Sequence, residues 1–338
     1  MNRTGQLAVL ALALSGVAGL AQGATKMPHN DMDGDGRSDL LWRNASTGET
    51  VYWSAANAAW TKGFPIDSRY NVPDSFSVAQ ARNVFPFRLW ADDSKTGLIA
   101  VSREGQYISL TFDDQTRTGY RASSTTPLLP PEWKLVGTGN FGQLDYYGNY
   151  DFGFEDFLFR NQVNGHNLLS YRSWDIRVNM EITPVPDLRW HVAGIGDFDG
   201  DGEADVLWRN VVSGHNVIWR SANSAKPIAV AKVPDLAWKV AAIADFNGDG
   251  RDDVFWRNSR AGTNVVWESG SAATSYAAVR VPDQAWQVGA VGDYDGDGKS
   301  DLFWRNTRTG ANLIWKSANG GTPLAVPGVT NLAWRPLM

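Results

Sequence analysis

Four nine-residue segments share one pattern: an oxygen-bearing side chain at positions 1, 3, 5 and 9, with glycine at 4 and 6. They occupy residues 31–39, 197–205, 245–253 and 293–301, and the last three begin 48 residues apart. Each packs four or five carboxylates into nine residues. Like charges at that density repel unless a cation offsets them. The chain therefore reads as an array of repeats with a hard metal ion built into most of them.

The bulk composition agrees. Of 338 residues, 43% are apolar and 20% charged, which suits a globular chain rather than a disordered one. A closed repeat array reaches this length as one domain. Sixteen Trp and 34 Gly point to short strands and tight turns. The formal net charge of −5 says little about partners, because four divalent ions would more than cancel it. Lys and Arg are not clustered, which argues against nucleic acid. Without cysteine, disulfides, thiol nucleophiles and zinc–thiolate sites are excluded.

At the N-terminus, Arg3 precedes an apolar stretch from Leu7 to Leu20, followed by Ala21-Gln22-Gly23. This reads as a signal peptide over 1–23, leaving 24–338 as a single exported domain, periplasmic or secreted. The stretch is too short for a comfortable membrane anchor, and no later run suggests a span.

Each repeat opens with a tryptophan. Trp190, Trp238, Trp286 and Trp334 are 48 residues apart; Trp133 precedes Trp190 by 57, and Phe76 precedes Trp133 by 57. A strand of the form Trp-x-Val-x-Ala/Gly follows, then the acidic loop, then a second strand such as Asp205 to Asn210. A glycine turn leads to a third strand ending at Trp219, Trp267 or Trp315, and a weaker fourth follows. Four short strands fill about 48 residues, the content of one propeller blade. Two units are degenerate. The one from Trp133 has Asn140 where the loop should begin and inserts residues 142–149. The one from Phe76 has Asn83 at that place and an irregular stretch over Leu89 to Lys95. The first unit lacks an opening Trp strand, whereas Trp334 opens a surplus one. Pairing these two ends predicts an all-β, six-bladed propeller closed by the C-terminal strand; a seventh blade would need a repeat that is not found.

These residues resemble the FG-GAP/VCBS repeat family, the calcium-loop β-propellers related to the integrin α-subunit head. The carriers are the four acidic loops and the Gly-Ile-Gly-Asp-Phe run from Gly194 to Phe198. The resemblance runs from about residue 28 to 338 and implies calcium between strands of one blade. It is specific for the fold and not for a function.

Calcium takes six to eight oxygens. The expected ligands are carboxylate or amide oxygens at positions 1, 3, 5 and 9, with the backbone carbonyl of position 7. The candidates are Asp31, Asp33, Asp35, Arg37 and Asp39; Asp197, Asp199, Asp201, Glu203 and Asp205; Asp245, Asn247, Asp249, Arg251 and Asp253; and Asp293, Asp295, Asp297, Lys299 and Asp301. Position 12 is a strand tryptophan rather than a bidentate glutamate, so these are not EF-hands. About four structural calcium ions are expected.

Thirteen tryptophans fall on three repeat positions, as core residues would; Trp60, Trp90 and Trp174 break the period and are candidates for sugar stacking. Arg43, Arg160, Arg209, Arg257 and Arg305 are expected to bond a carboxylate or carbonyls, and the asparagine after each to cap a turn. His166 and His215 share a tolerant turn position. No histidine pair, nucleophile elbow or phosphate loop is present. The leading expectation is a monomeric, non-catalytic binding or adhesion module for a glycan or an extracytoplasmic protein. Its contact surface is expected over inserts 85–97 and 142–154. The alternatives are a polysaccharide hydrolase or lyase using Tyr146, Tyr147, Tyr150 and Asp151, near Asp145 and Glu155, and a purely structural envelope protein.

Overall fold

The structure, a computed structural model, describes residues 31, 35–47, 49–57, 61–63, 83–90, 93–101, 107–112, 120–125, 129–142, 156–170 and 179–337. The chain opens with β1 (Leu40–Asn44), β2 (Thr50–Trp53) and β3 (Thr61–Gly63). Five contiguous blades follow. The first is β4 (Asn83–Trp90), β5 (Asp93–Val101), β6 (Tyr107–Phe112) and β7 (Tyr120–Thr125). The second is β8 (Trp133–Gly139), β9 (Asp156–Asn161), β10 (Asn167–Ser170) and β11 (Asn179–Ile182). The third is β12 (Trp190–Gly196), β13 (Asp205–Asn210), β14 (Asn216–Trp219) and β15 (Pro227–Val230). The fourth is β16 (Trp238–Ala244), β17 (Asp253–Asn258), β18 (Asn264–Trp267) and β19 (Ser275–Ala278). The fifth is β20 (Trp286–Gly292), β21 (Asp301–Asn306), β22 (Asn312–Trp315) and β23 (Leu324–Val326). Finally β24 (Trp334–Pro336) returns to β1, giving a closing sheet in the order β24-β1-β2-β3.

The β-propeller and its closure by the C-terminal strand agree with the sequence reading. The expected count of six blades is corrected to five contiguous blades plus a four-stranded closing sheet, which the C-terminal strand completes as expected. A second correction concerns residues 83–97. Asn83 does not open a loop: it begins a strand, and residues 93–97 of its partner strand lie beyond the stretch, Leu98–Val101, that pairs with β6. Asn83–Trp90 and Asp93–Val101 pair as a hairpin from Asn83↔Val101 to Trp90↔Asp93. Val84, Phe85, Phe87 and Leu89 favour a strand, and that preference outweighs the repeat phase. The insert residues 143–155 and the signal segment lie outside the described residues, as do Trp60 and Trp174.

Burial follows from the ring. All six residues of β13, β17 and β21 are buried, because a middle strand is covered on both faces by neighbouring blades. Trp42, Trp208, Trp256 and Trp304 are among the largest fully buried side chains. Each meets the third-strand tryptophan of its own sheet, as Trp208 meets Trp219 at 5.0 Å and Trp304 meets Trp315 at 4.6 Å between centroids. Each also receives an arginine from the preceding blade. The Arg160 guanidinium lies 5.0 Å from the Trp208 ring, Arg209 5.0 Å from Trp256, Arg257 5.0 Å from Trp304 and Arg305 4.9 Å from Trp42. These cation–π contacts run from blade to blade and cross the closure. Arg209 also donates to Asn216 Oδ1 and to the carbonyls of Val233 and Trp238, so it bonds carbonyls rather than a carboxylate. Asn210 Oδ1 accepts the Val212 and Ser213 N–H groups, the turn cap expected of it.

Neighbouring sheets approach most closely through their first strands. Small residues permit this: a Cβ on Gly137 would collide with Ile195, and one on Gly194 with Ile243. At the closure, β24 pairs Trp334 with Asn44 and Pro336 with Trp42, and Leu337 N–H donates to Leu41 O at 3.0 Å. Truncating the chain after Ala333 removes that strand and bares an edge of β1. The expected result is a melting temperature lowered by several degrees and concentration-dependent self-association, read by calorimetry and light scattering.

Candidate metal centre

The loops at 197–205, 245–253 and 293–301 each join the end of a first strand to the start of a second, and residues 35–39 lead into β1, which holds the second place in the closing sheet, so all lie at one end of the ring. Position 1 organises the loop. Asp197 Oδ1 accepts the N–H groups of Gly200 (2.7 Å) and Asp201 (3.2 Å), and Oδ2 accepts that of Gly202 (3.0 Å). Asp245 and Asp293 repeat these bonds. In the described part of the first loop, Asp31 accepts from Asp35 and Gly36. Such curling needs positive φ at positions 4 and 6, and Gly200 and Gly202 adopt +77° and +86°. Position 5 caps position 7, as Asp201 Oδ1 accepts Glu203 N–H at 2.9 Å.

Position 9 is the most buried member. Asp205, Asp253 and Asp301 have no exposed surface. Asp205 Oδ2 accepts the N–H of Phe198 at 3.0 Å, and Oδ1 accepts that of Ser221 at 2.9 Å. The same two bonds recur at Asp253 and Asp301. Ser221, Ser269 and Ser317 hold left-handed φ of 48–49°, a conformation costly for a residue with a Cβ. Position 9 thus ties its loop to the strained turn after the third strand. Burial pushes all three carboxyls up to about 7, reinforced by the neighbouring aspartates and opposed by the two N–H bonds.

Two loops bring their carboxylates together. Ligand oxygens of Asp197, Asp199 and Asp205 lie within 4.8 Å of one another, as do those of Asp293, Asp295 and Asp297. Either Asp triad can hold a metal ion. The donor set fits a hard cation, and Asp199 Oδ1 is buried with no hydrogen-bond partner, the state of an oxygen awaiting one. Its other oxygen faces Arg220 at 3.4 Å, and Lys316 stands in the same relation to Asp295 at 2.6 Å. The 245–253 loop has an amide in place of the position-3 carboxylate: Asn247 Nδ2 donates to Asp249 Oδ2, and its Oδ1 accepts Asp249 N–H. Asp33 lies outside the described residues. The uncommitted patch of Asp145, Tyr146, Tyr147, Tyr150, Asp151 and Glu155 does so too.

Positions 2 and 8, which the sequence reading passed over, carry much of the architecture. Phe198, Phe246 and Tyr294 at position 2 are buried anchors. Their aromatic recurrence is visible in the sequence. Position 8 reaches the preceding loop. Asp252 N–H donates to Asp197 O (2.6 Å) and its Oδ2 accepts Asp197 N–H (2.8 Å); Ser300 N–H donates to Asp245 O (2.7 Å). Ser38 makes both bonds to Asp293 across the closure, at 2.7 and 2.9 Å. Arg251, Lys299 and Arg37 at position 7 lie over Gly200, Gly248 and Gly296 of the preceding loops. The loops are therefore chained in series, and residues as different as Asp252, Ser300 and Ser38 gave no sequence signal of it.

The profile of the FG-GAP-like repeat matches residues 197–256 and 245–304. Among curated proteins, no sequence matches the chain. Among solved structures, a chain of the nidogen/laminin complex is similar, with a TM-score of 0.52 and 10% identity over 88% of this chain and 96% of that one. An auxiliary nutrient binding protein from Bacteroides thetaiotaomicron gives a TM-score of 0.40 and 11% identity, over 69% of this chain and 54% of that one. The first likeness shows the fold alone.

Two outcomes follow from this geometry. A cation must displace the proton that each position-9 aspartate retains below about 7. Cation affinity is thus expected to fall as pH drops through 7, by about tenfold per unit per displaced proton. The cation-free protein carries the opposite sign. Its folded state keeps protons that the unfolded chain, titrating near ~3.9, has released, so these groups make it less stable as pH rises from ~4 to 7. Calcium titrations and melting curves at pH 6 and 8, with and without chelator, check both. Second, Ser38→Ala removes the acceptor for Asp293 N–H while keeping the backbone bond. It is expected to cost about 1 kcal/mol in denaturant unfolding.

Proposed function

From a chain that carries FG-GAP-like repeats in a β-propeller, we propose an exported, calcium-stabilised binding module that engages a glycan or an extracytoplasmic protein without turning it over. The observation that carries this reading is the paired use of the recurring polar residues. The loop aspartates converge on ion positions or cap backbone N–H groups. The Trp-Arg-Asn arginines and asparagines are spent on carbonyls and turns. The repeated chemistry thus maintains a rigid ring and presents the variable residues at its two ends, where scaffolds of this kind place recognition.

Calcium suits the loops better than magnesium, because it accepts many carboxylate and carbonyl oxygens in flexible geometry. Positions 1, 3, 5 and 9 with the carbonyl of position 7 supply them, in about four loops. Residues 1–23 serve as the export signal, which supports a periplasmic or secreted location.

Equilibrium dialysis is expected to count about four calcium ions per folded chain, and chelation to lower the melting temperature. A glycan array and a pull-down from extracytoplasmic proteins are expected to return a partner whose binding weakens on chelation. Turnover of a polysaccharide, or a melting curve indifferent to chelator, would overturn the proposal.

A further inference from the structure

The end of the ring away from the acidic loops has a different character. The first strands β8, β12, β16, β20 and β24 begin there, each with a half-buried tryptophan followed by an exposed polar residue: Lys134, His191, Lys239, Gln287 and Arg335. Their register places them alike, opposite Arg160, Arg209, Arg257, Arg305 and Arg43 of the second strands. Since neighbouring sheets meet most closely through these first strands, the five residues form a collar around one mouth of the ring.

Three features separate the collar from an ordinary solvated rim. None of the five positions carries an acid, although the chain as a whole is at −5. Among the described residues, Lys134, Lys239 and Arg335 have no ion-pair partner. By contrast, the arginines of the outer turns at the same end are paired: Arg189 with Asp187 (2.8 Å), Arg260 with Asp235 (2.7 Å) and Arg308 with Asp283 (3.9 Å). Finally, each collar residue adjoins an indole that is not fully covered.

Unpaired cations interleaved with partly open aromatic faces suit a ligand that offers both an apolar ring face and a fixed negative charge. We propose that this collar binds an acidic polysaccharide, its uronate carboxylates or sulfate esters meeting Lys134, Lys239 and Arg335 while a sugar ring rests against a neighbouring tryptophan. Nucleic acid fits less well: three cations around a mouth do not track a phosphate backbone, and the net charge of −5 repels one at long range. The inference rests on the binding-module reading above and names the chemistry and place of its partner.

The test uses the full calcium-loaded chain in affinity electrophoresis and calorimetry. The probes are polygalacturonate for carboxylates, dextran sulfate for sulfates, neutral dextran, and single-stranded DNA. The variant Lys134→Glu/Lys239→Glu/Arg335→Glu is compared with Lys226→Glu/Lys232→Glu, which changes exposed lysines outside the collar. Circular dichroism and melting curves certify that both are folded. Binding to one or both acidic polysaccharides is expected, with the logarithm of affinity falling against that of salt with a slope of about −2 to −3. The collar variant is expected to lose at least tenfold in affinity, and the control less than twofold. Equal binding to neutral dextran, equal and collar-dependent binding to DNA, no binding to either acidic polymer, or binding undiminished in the collar variant would each overturn the proposal. If the array and pull-down still return a partner in any of those cases, the binding-module reading survives and only the collar assignment fails. Should the collar variant misfold, the single change Lys239→Gln, read by salt slope, takes its place: a slope reduced by about one supports the collar and an unchanged slope refutes it.

Discussion

The interaction on which the rest depends is the grip of each position-9 aspartate. Asp205 has no exposed surface and holds two backbone N–H groups, one from its own loop and one from the turn after the third strand. With one carboxylate it sets where the second strand begins, where the loop folds back and where the third strand turns in a left-handed step. Burying that charge is unfavourable, and the bonds to Phe198 and Ser221 offset only part of the cost. A cation beside it would complete the compensation. Loop, turn and ion position are therefore consequences of a single buried charge, repeated at Asp253 and Asp301.

Between blades a second set of contacts takes over. Arg160, Arg209 and Arg257 each cross to the next blade, stack on its second-strand tryptophan and bond its first-strand tryptophan carbonyl. At the opposite end, position 8 of each loop clasps the loop before it. Blades are thus joined at both ends as well as through their apolar faces. The same two contacts, Arg305 to Trp42 and Ser38 to Asp293, span the gap between the fifth blade and the closing sheet. The composite sheet is fastened by the same means as the contiguous blades.

Much of this was legible before any coordinates. The 48-residue spacing of Trp190, Trp238 and Trp286 set the blade length, and the surplus Trp334 foretold the closing strand. Phase carries such information because every blade meets the same neighbours. Phase failed at residues 83–97, where local strand preference rather than repeat position decides the backbone. It failed again at position 8, because the bond that recurs there is made through backbone N–H, while the side-chain bond beside it is accepted by a carboxylate at Asp252 and a hydroxyl at Ser38. The ion positions were read as four equal nests. Carboxylate triads gather at 197–205 and 293–301, the 245–253 loop carries the amide of Asn247 in place of one carboxylate, and Asp33 of the first loop lies outside the described residues.

The antiparallel pairing of β24 with β1 has a mechanical corollary. Residue 41 lies beside residue 337, so the segments leading away from the two strands leave the sheet on the same side. Tension applied across them meets the ladder one rung at a time, as in the opening of a zip, rather than loading every rung at once. The fork where such peeling starts lies beside the acidic segment that ends at Asp39 and is bolted through Ser38 to Asp293 of the fifth blade. A cation held there would sit where the ring is easiest to pull apart.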